Sequence, residues 1–240
     1  LKGELTMNIR KEYLQKGHPN RPSIKLESLK AIVIHYTQNE DPKATAVINA
    51  KYIGRPFEKG EYYDAKKNMI VNGYIEKGSM GKGARGFGIP FRYGSAHVFC
   101  DQDSIVETIP VDEVAWGCGD KNYKGGYQRV AYKVFNGRQN YQTISVEICN
   151  NDVIKNSNED WKKAVYNAFL WIGEFMKQHS YKLDLEGSLK PQMLEKAPPV
   201  GSLLLLRHYD LTGKICPKPF VDSQEDWEGF IKSIYNYIRS

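Results

Sequence analysis

The prediction of fold and chemistry begins from one stretch, Arg207-His208-Tyr209-Asp210-Leu211-Thr212-Gly213-Lys214-Ile215-Cys216-Pro217. It follows the apolar run 203–206, which is short enough to be a buried strand. His208 would leave the end of this strand, and the turn at Gly213 would fold Lys214 and Cys216 back beside it. Histidine and cysteine are common zinc ligands, and a catalytic zinc takes three protein ligands and keeps one open position. The stretch therefore offers two ligands and predicts a third elsewhere in the chain.

The composition is that of a globular protein with a mild positive charge. The 240 residues include 41% hydrophobic and 12% aromatic side chains, which is enough for a hydrophobic core. No apolar run approaches the roughly 20 residues that cross a bilayer, so membrane insertion is not expected. Residues 1–10 are polar and charged and contain no signal-peptide core. The net charge of +6 comes from scattered Lys and Arg and fits a solvated surface, or attraction to a polyanion such as nucleic acid or an anionic cell wall. Nucleic acid is the weaker alternative, because the sequence has no basic helix, zinc-knuckle spacing or basic-aromatic motif.

Four cysteines without CxxC spacing do not indicate a disulfide framework in a chain of this length. They are Cys100, Cys118, Cys149 and Cys216.

Two predicted strands carry a polar side chain among apolar neighbours. The run 30–36 is rich in β-branched residues and has an imidazole, His35, as its last but one side chain. The run 143–149 alternates, so that Glu147 lies on the opposite face from the isoleucines and valine. Either residue has a simpler interpretation: His35 as a hydrogen-bonded core histidine, and Glu147 as a carboxylate facing solvent from an edge strand.

The remaining pattern predicts an α/β fold with a mixed central β-sheet flanked by helices. Asp41 and Pro42 indicate a helix start, with Asp41 as the N-cap, and Ser157 and Ser223 each indicate another. A hairpin is predicted around residues 101–103. We predict a single domain over residues 1–240.

Two segments, 54–94 and 187–201, are predicted as insertions in this domain. Segment 54–94 is rich in glycine and too long for an ordinary loop. We expect it to have little regular structure and to form a lid or wall of a cleft.

Five groups of residues occur in a characteristic order. They are Asn20-Arg21-Pro22 with Ile32-Val33-Ile34-His35-Tyr36-Thr37, Ser95-Ala96-His97-Val98, Ala115-Trp116-Gly117-Cys118-Gly119-Asp120, Ile144-Ser145-Val146-Glu147-Ile148-Cys149, and residues 208–217. Together they resemble the zinc-dependent N-acetylmuramoyl-L-alanine amidases of the type-2 amidase family. These are relatives of peptidoglycan recognition proteins and occur in phage endolysins and bacterial autolysins. Compact members lack segments as long as 54–94 and 187–201, so the resemblance does not define the preferred peptide.

The resemblance implies that His35, His208 and Cys216 bind Zn²⁺, that Lys214 stabilises an oxyanion, and that Glu147 is the catalytic carboxylate. The implied reaction is hydrolysis of the amide bond between N-acetylmuramic acid and L-alanine in peptidoglycan. It would take place at the bacterial cell wall, by a secreted protein or by a phage lysin released from the host cytoplasm. We expect four further side chains to bind the substrate or line its cleft: Tyr36, His97, Trp116 and Tyr209. For the three aromatic residues among them, packing in the core is an equal alternative.

Other interpretations remain open from the sequence. A non-catalytic peptidoglycan-binding module on the same fold would be expected to lose a metal ligand, whereas all three are present. A thiol hydrolase using Cys216 is disfavoured, because Pro217 follows directly and no helix N-terminus is there to lower the thiol pKa. Cys216 could also be an inert buried thiol, and Lys214 a surface lysine. His97 is a competing metal ligand, although we favour a place in the cleft wall or beside a ligand.

Overall fold

Short apolar runs form the centre of a mixed β-sheet in the computed structural model, which describes residues 9–39, 41, 43–119, 128–149 and 159–240. The strands are β1 (Ile9–Lys11), β2 (Ala31–Tyr36), β3 (Phe57–Asp64), β4 (Met69–Glu76), β5 (Val98–Cys100), β6 (Ile105–Glu107), β7 (Thr143–Ile148), β8 (Lys182–Leu183) and β9 (Ser202–Arg207). Seven of these described strands form one sheet in the order β1-β6-β5-β7-β2-β9-β8. All neighbours in it are parallel except the β5–β6 hairpin. The predicted mixed sheet is therefore confirmed.

Helices cover both faces of this sheet. They are α1 (Ala46–Ile53), α2 (Gln128–Phe135), α3 (Glu159–Gln178), α4 (Leu185–Leu189), α5 (His208–Thr212), α6 (Lys218–Asp222) and α7 (Gln224–Tyr237). The isoleucines and valine of β7 pack with α3 and α7 on one face. On the other face α1 and α2 pack against neighbouring parts of the sheet. None of the helices in the described ranges has the length and apolar character needed to cross a membrane.

The first helix begins later than the sequence predicts. Thr45, not Asp41, is its N-cap, and the expected first position, Pro42, lies outside the described residues. The buried Asp101 carboxylate accepts a 2.7 Å hydrogen bond from the Ala46 N–H, which satisfies a donor at the helix start. The prediction was wrong because the helix start is also held by a contact from the β5–β6 turn, 55 residues further along the chain. The predicted cap Ser157 also lies outside the described residues, whereas Ser223 caps α7 as expected.

Segment 54–94 contains more regular structure than expected. Strands β3 and β4 pair antiparallel over their whole length, from Phe57 opposite Glu76 to Asp64 opposite Met69. A short 3₁₀ turn at Ala84–Gly86 follows them. The strand signal is weak in this segment because glycine and charged residues interrupt the apolar alternation.

One asparagine side chain joins the two ends of this segment. Asn20 is fully buried, and its Nδ2 donates to the Ile53 carbonyl at 2.7 Å. Its Oδ1 accepts from the Gly94 N–H at 3.0 Å. The chain therefore leaves and re-enters the main fold at neighbouring points.

A buried ion pair fixes the segment that precedes β2. Arg21 donates from Nε and Nη2 to the two carboxylate oxygens of Glu113, both at 2.8 Å, and from Nη1 to the Leu14 carbonyl. The two charged side chains are 8% and 9% exposed. Removing one partner of such a pair leaves the other charge buried and uncompensated.

We expect Glu113→Gln to lower the free energy of unfolding by about 3 kcal/mol at pH 7. The hydrogen bonds from Arg21 lower the pKa of Glu113 in the folded protein. The pair therefore stabilises the fold fully above the ordinary glutamate pKa of about 4.3, and this stabilisation is lost as pH falls through the lowered folded-state pKa. Urea unfolding of both proteins from pH 7 down to about pH 2 should show a constant difference above about pH 4.3 and a shrinking difference below it. A difference independent of pH would contradict this account.

Candidate metal centre in the cleft

Polar side chains meet at the carboxyl ends of three adjacent parallel strands. His35 of β2 lies opposite Glu147 of β7 in the register of the sheet. On the other side of β2, Ile34 lies opposite Arg207, the last residue of β9, so His208 follows at the same level. Both His35 and Glu147 alternate with apolar residues that pack under α3, which places them on the opposite face. This strand arrangement brings together residues that are far apart in sequence.

The turn after β9 positions the other two candidate ligands. Arg207 and Asp210 form a buried ion pair at 2.9 Å, and the Arg207 N–H also donates to Asp210 at 2.8 Å. Helix α5 then ends at Gly213, whose φ of 74° is a conformation that glycine adopts without strain. The Tyr209 N–H donates to the Cys216 carbonyl at 2.9 Å. This bond closes the turn and places Cys216 beside His208.

His35, His208 and Cys216 form a three-residue cluster with the geometry of a metal site. All three are buried, and one ligand atom from each lies within 4.8 Å of the others. Cys216 Sγ is 3.9 Å from His35 Nδ1. This is less than the sum of a Zn–S and a Zn–N bond, about 4.4 Å, so both atoms can reach one ion. The donor set of two imidazoles and one thiol therefore fits a zinc ion and leaves a position for another ligand.

Burial shifts the pKa values of the groups around this cluster. It lowers the pKa of His35 well below the usual value, which favours the neutral imidazole that a metal requires. It raises the pKa of the Cys216 thiol to about 12, and metal coordination would deprotonate such a thiol outright. Burial also raises the pKa of Glu147 to about 7, opposed by the positive charge of Lys214. Glu147 Oε2 is buried and has no hydrogen-bond partner among the described residues.

A cleft of about 1020 Å³ opens over the cluster. Its walls include Glu147 and Lys214 beside the three candidate ligands. Two of the predicted substrate-binding residues, Tyr36 and Trp116, also line it. Trp116 is held by a 3.0 Å hydrogen bond from Nε1 to the Pro19 carbonyl.

Two of the four predicted substrate-binding residues, His97 and Tyr209, do not line this cleft. His97 is completely buried and is not among the described residues that line the cleft. Its Nδ1 accepts from the Ser145 N–H at 2.9 Å, and its Nε2 donates to the Glu113 carbonyl at 2.8 Å. Both ring nitrogens are used by the backbone, so neither is available to a metal or a substrate. Tyr209 also lies outside the cleft lining, with the Arg207 guanidinium 5.4 Å from its ring.

We expect His97→Ala to lower the free energy of unfolding by about 2–5 kcal/mol, because it leaves a buried donor and a buried acceptor without partners. Catalytic constants per folded molecule should change little. Urea unfolding and initial rates on the same preparations check both parts. Loss of activity at unchanged stability would instead show that His97 contributes to metal or substrate binding.

The structure adds residues that sequence reasoning missed. Thr37 lines the cleft, and its buried Oγ1 has no hydrogen-bond partner in the described part of the chain. Tyr52 and Tyr93 line the same cleft although they are 62% and 59% exposed. Tyr141 also lines it and packs edge-on against Trp116. Thr37 ends a segment already singled out, but nothing in the sequence spacing places the three tyrosines at a common cleft.

The mixed sheet and the two-histidine, one-cysteine cluster define an α/β protein with a candidate metal centre of the catalytic type. The family model described as N-acetylmuramoyl-L-alanine amidase (Amidase_2) matches residues 25–219. The chain belongs to this family, as the sequence segments predicted.

Curated N-acetylmuramoyl-L-alanine amidases are similar to this chain over most of its length. The N-acetylmuramoyl-L-alanine amidase CwlL of Bacillus licheniformis is 24% identical over 228 residues, which are 95% of this chain and 47% of that protein. CwlH of Bacillus subtilis (strain 168) is 22% identical over 95% of this chain and 61% of its own length. The chain thus spans about half the length of the curated relatives it matches.

Among solved structures, the catalytic domain of XlyA has a TM-score of 0.56 at 22% identity, over 94% of this chain and 99% of that one. A structure of PlyL has a TM-score of 0.55 at 21% identity, over 95% and 97%. At these identities the likeness shows a common fold.

Proposed function

We propose that this chain hydrolyses the amide bond between N-acetylmuramic acid and L-alanine in bacterial peptidoglycan, with Zn²⁺ held by His35, His208 and Cys216. The observation that carries the proposal is the meeting of these three side chains with Glu147 in one cleft. Membership of the amidase family and the names of the relatives support the choice of bond. The site of action would be the cell wall, to whose anionic polymers the net charge of +6 would be attracted.

The chain's own residues supply the proton transfers. When bound, zinc supplies Lewis acidity, which polarises a substrate carbonyl and acidifies water. Glu147 accepts the proton of the attacking water and delivers it to the leaving amine of L-alanine. Its pKa of about 7 suits both steps, because such a carboxylate accepts and releases a proton at near-neutral pH.

Lys214 provides positive charge at the same place. It lines the cleft, and its charge acts on both His35 and Glu147. An ammonium fixed beside the reacting carbonyl offsets the negative charge that develops on the tetrahedral oxygen. The substrate would be held along the aromatic lining of the cleft, including Tyr36, Tyr93 and Trp116.

The proposal is tested by digesting purified cell wall and analysing the products by mass spectrometry. We expect new L-alanine amino termini and free muramoyl carboxyl groups, together with about one zinc per chain. Removal of the metal with a chelator should stop the digestion, and added zinc should restore it. Zinc binding without cleavage would indicate a peptidoglycan-binding module, and cleavage that survives metal removal would overturn the zinc mechanism.

A further inference from the structure

Two different cysteines face the two nitrogens of the His35 ring. Cys216 Sγ lies 3.9 Å from Nδ1, on the side of the candidate metal site. Cys118 Sγ lies 3.7 Å from Nε2, on the other side of the ring. Both sulfurs are within the range of hydrogen bonds to sulfur, but only Cys216 belongs to the three-residue cluster. Cys118 therefore contacts the candidate ligand His35 at the ring nitrogen that does not face Cys216.

The backbone of Cys118 is held on both sides. Its N–H donates to Asn140 Oδ1 at 2.7 Å, and its carbonyl accepts from Gln139 Nε2 at 3.0 Å. The preceding residue, Gly117, lies so close to β7 that an added Cβ would be 2.2 Å from Ser145 Oγ. Only glycine at position 117 lets the turn approach β7 this closely. This close approach places the Cys118 sulfur beside Nε2 of His35.

Two hydroxyl groups beside the sulfur allow its proton to be directed away from His35. Cys118 is completely buried, and its Sγ lies 3.8 Å from Ser145 Oγ and 3.9 Å from Thr143 Oγ1. A thiol has one proton to donate and sulfur lone pairs that accept. With the proton directed to either hydroxyl oxygen, the sulfur is free to accept the N–H of His35 Nε2.

This arrangement favours one of the two neutral tautomers of His35. A neutral imidazole carries its single proton on one nitrogen and a lone pair on the other. A proton on Nε2 leaves the lone pair on Nδ1, which faces Cys216 and the metal site. Histidine ligands generally donate their second ring N–H to a hydrogen-bond acceptor, usually a carboxylate, a backbone carbonyl or water, and this bond fixes both the tautomer and the ring orientation.

We propose that Cys118 is a positioning residue for the metal ligand His35, because its sulfur accepts the Nε2–H and so presents Nδ1 to the metal. This inference rests on the proposed metal site. It assigns to Cys118 a role that does not involve contact with the metal or the substrate.

The experiment compares Cys118→Ala and Cys118→Ser with the unaltered protein, and uses Cys100→Ala as the matched control. Cys100 is an equally buried thiol on β5, in the core under α3. Histidine-selective ¹⁵N NMR on metal-free protein reports which nitrogen of His35 carries the proton. Zinc affinity is measured by competition with a chelator, and thermal unfolding shows that each variant is folded.

We expect Nε2–H in the unaltered protein and a mixture of tautomers in Cys118→Ala. Zinc affinity should fall about 10- to 100-fold in Cys118→Ala, as when other partners of metal-bound histidines are removed. Cys118→Ser keeps an acceptor and should lose less, and Cys100→Ala should bind zinc as the unaltered protein does.

An Nδ1–H tautomer in the unaltered protein, or unchanged zinc affinity and tautomer in Cys118→Ala, would overturn the proposal. If the unaltered protein binds no zinc, both the proposed zinc-dependent function and the role of Cys118 in positioning a metal ligand are refuted. The tautomer spectrum of metal-free protein still decides in that case whether Cys118 accepts a hydrogen bond from His35.

Discussion

Replacing Cys216 with serine is expected to remove both zinc binding and cell-wall hydrolysis. Cys216 is buried and is the only sulfur in the three-residue cluster of the described chain. Removing the hydrogen-bond partner of a metal ligand lowers metal affinity by about 10- to 100-fold. Removing the ligand itself should therefore lower zinc affinity by more than about 100-fold. Metal assistance supplies several kcal/mol of transition-state stabilisation, and each 1.4 kcal/mol is about tenfold in rate, so activity should fall at least about 10³-fold.

Metal analysis and product analysis on the same preparation check this prediction. Cys100→Ser is the matched control, because it makes the same exchange of sulfur for oxygen at a buried position on β5. The control is expected to lose stability but to keep its zinc and its specific activity. Activity that persists in Cys216→Ser without zinc would refute the assignment of Cys216 as a ligand.

The second large effect is expected for Glu147→Gln, a change that keeps the size of the side chain and removes its ability to take a proton. Loss of a general acid–base group lowers kcat by about 10²- to 10⁴-fold. Zinc binding should be retained, since Glu147 is not one of the three candidate ligands.

In the unaltered protein the rate should rise with pH as Glu147 loses its proton. The midpoint should lie at or below about 7, because burial raises the pKa of Glu147 while Lys214 and any bound cation lower it. The rising limb should be absent in Glu147→Gln.

Initial rates between pH 5 and pH 9, measured with zinc content, separate a catalytic role from a structural one. Glu159→Gln is a suitable control, because this carboxylate lies on the exposed start of α3 and pairs with Lys162. A Glu147→Gln variant with the full rate and an unchanged pH profile would show that another group moves the proton.

The candidate ligands could be predicted from the sequence because parallel strands end at a common edge. His35 is the last but one residue of the apolar strand β2, and His208 follows the apolar strand β9. Pairing of these two strands is therefore enough to bring both histidines together. The glycine turn that returns Cys216 was also visible, since it is local in sequence. These features depend on short-range pattern and on one sheet pairing.

Features that depend on contacts between distant segments could not be predicted. The contact of Cys118 with His35 joins positions 83 residues apart, and no spacing rule anticipates it. His97 has the residue type and strand position of a ligand, but its neighbours Ser145 and Glu113 satisfy both ring nitrogens. The start of α1 depends in the same way on a carboxylate from another hairpin, that of Asp101.

The two hydrogen bonds of the Asn20 side chain make segment 54–94 a place where the chain can vary. Because Ile53 and Gly94 are held at neighbouring points, the chain between them can be lengthened, shortened or exchanged with only a small change in loop-closure entropy. The strands that carry His35, Glu147 and His208 need not move when this happens. Natural variation and engineering can therefore alter the rim of the cleft at Tyr93 and its surroundings while the chemistry at the sheet edge is inherited unchanged.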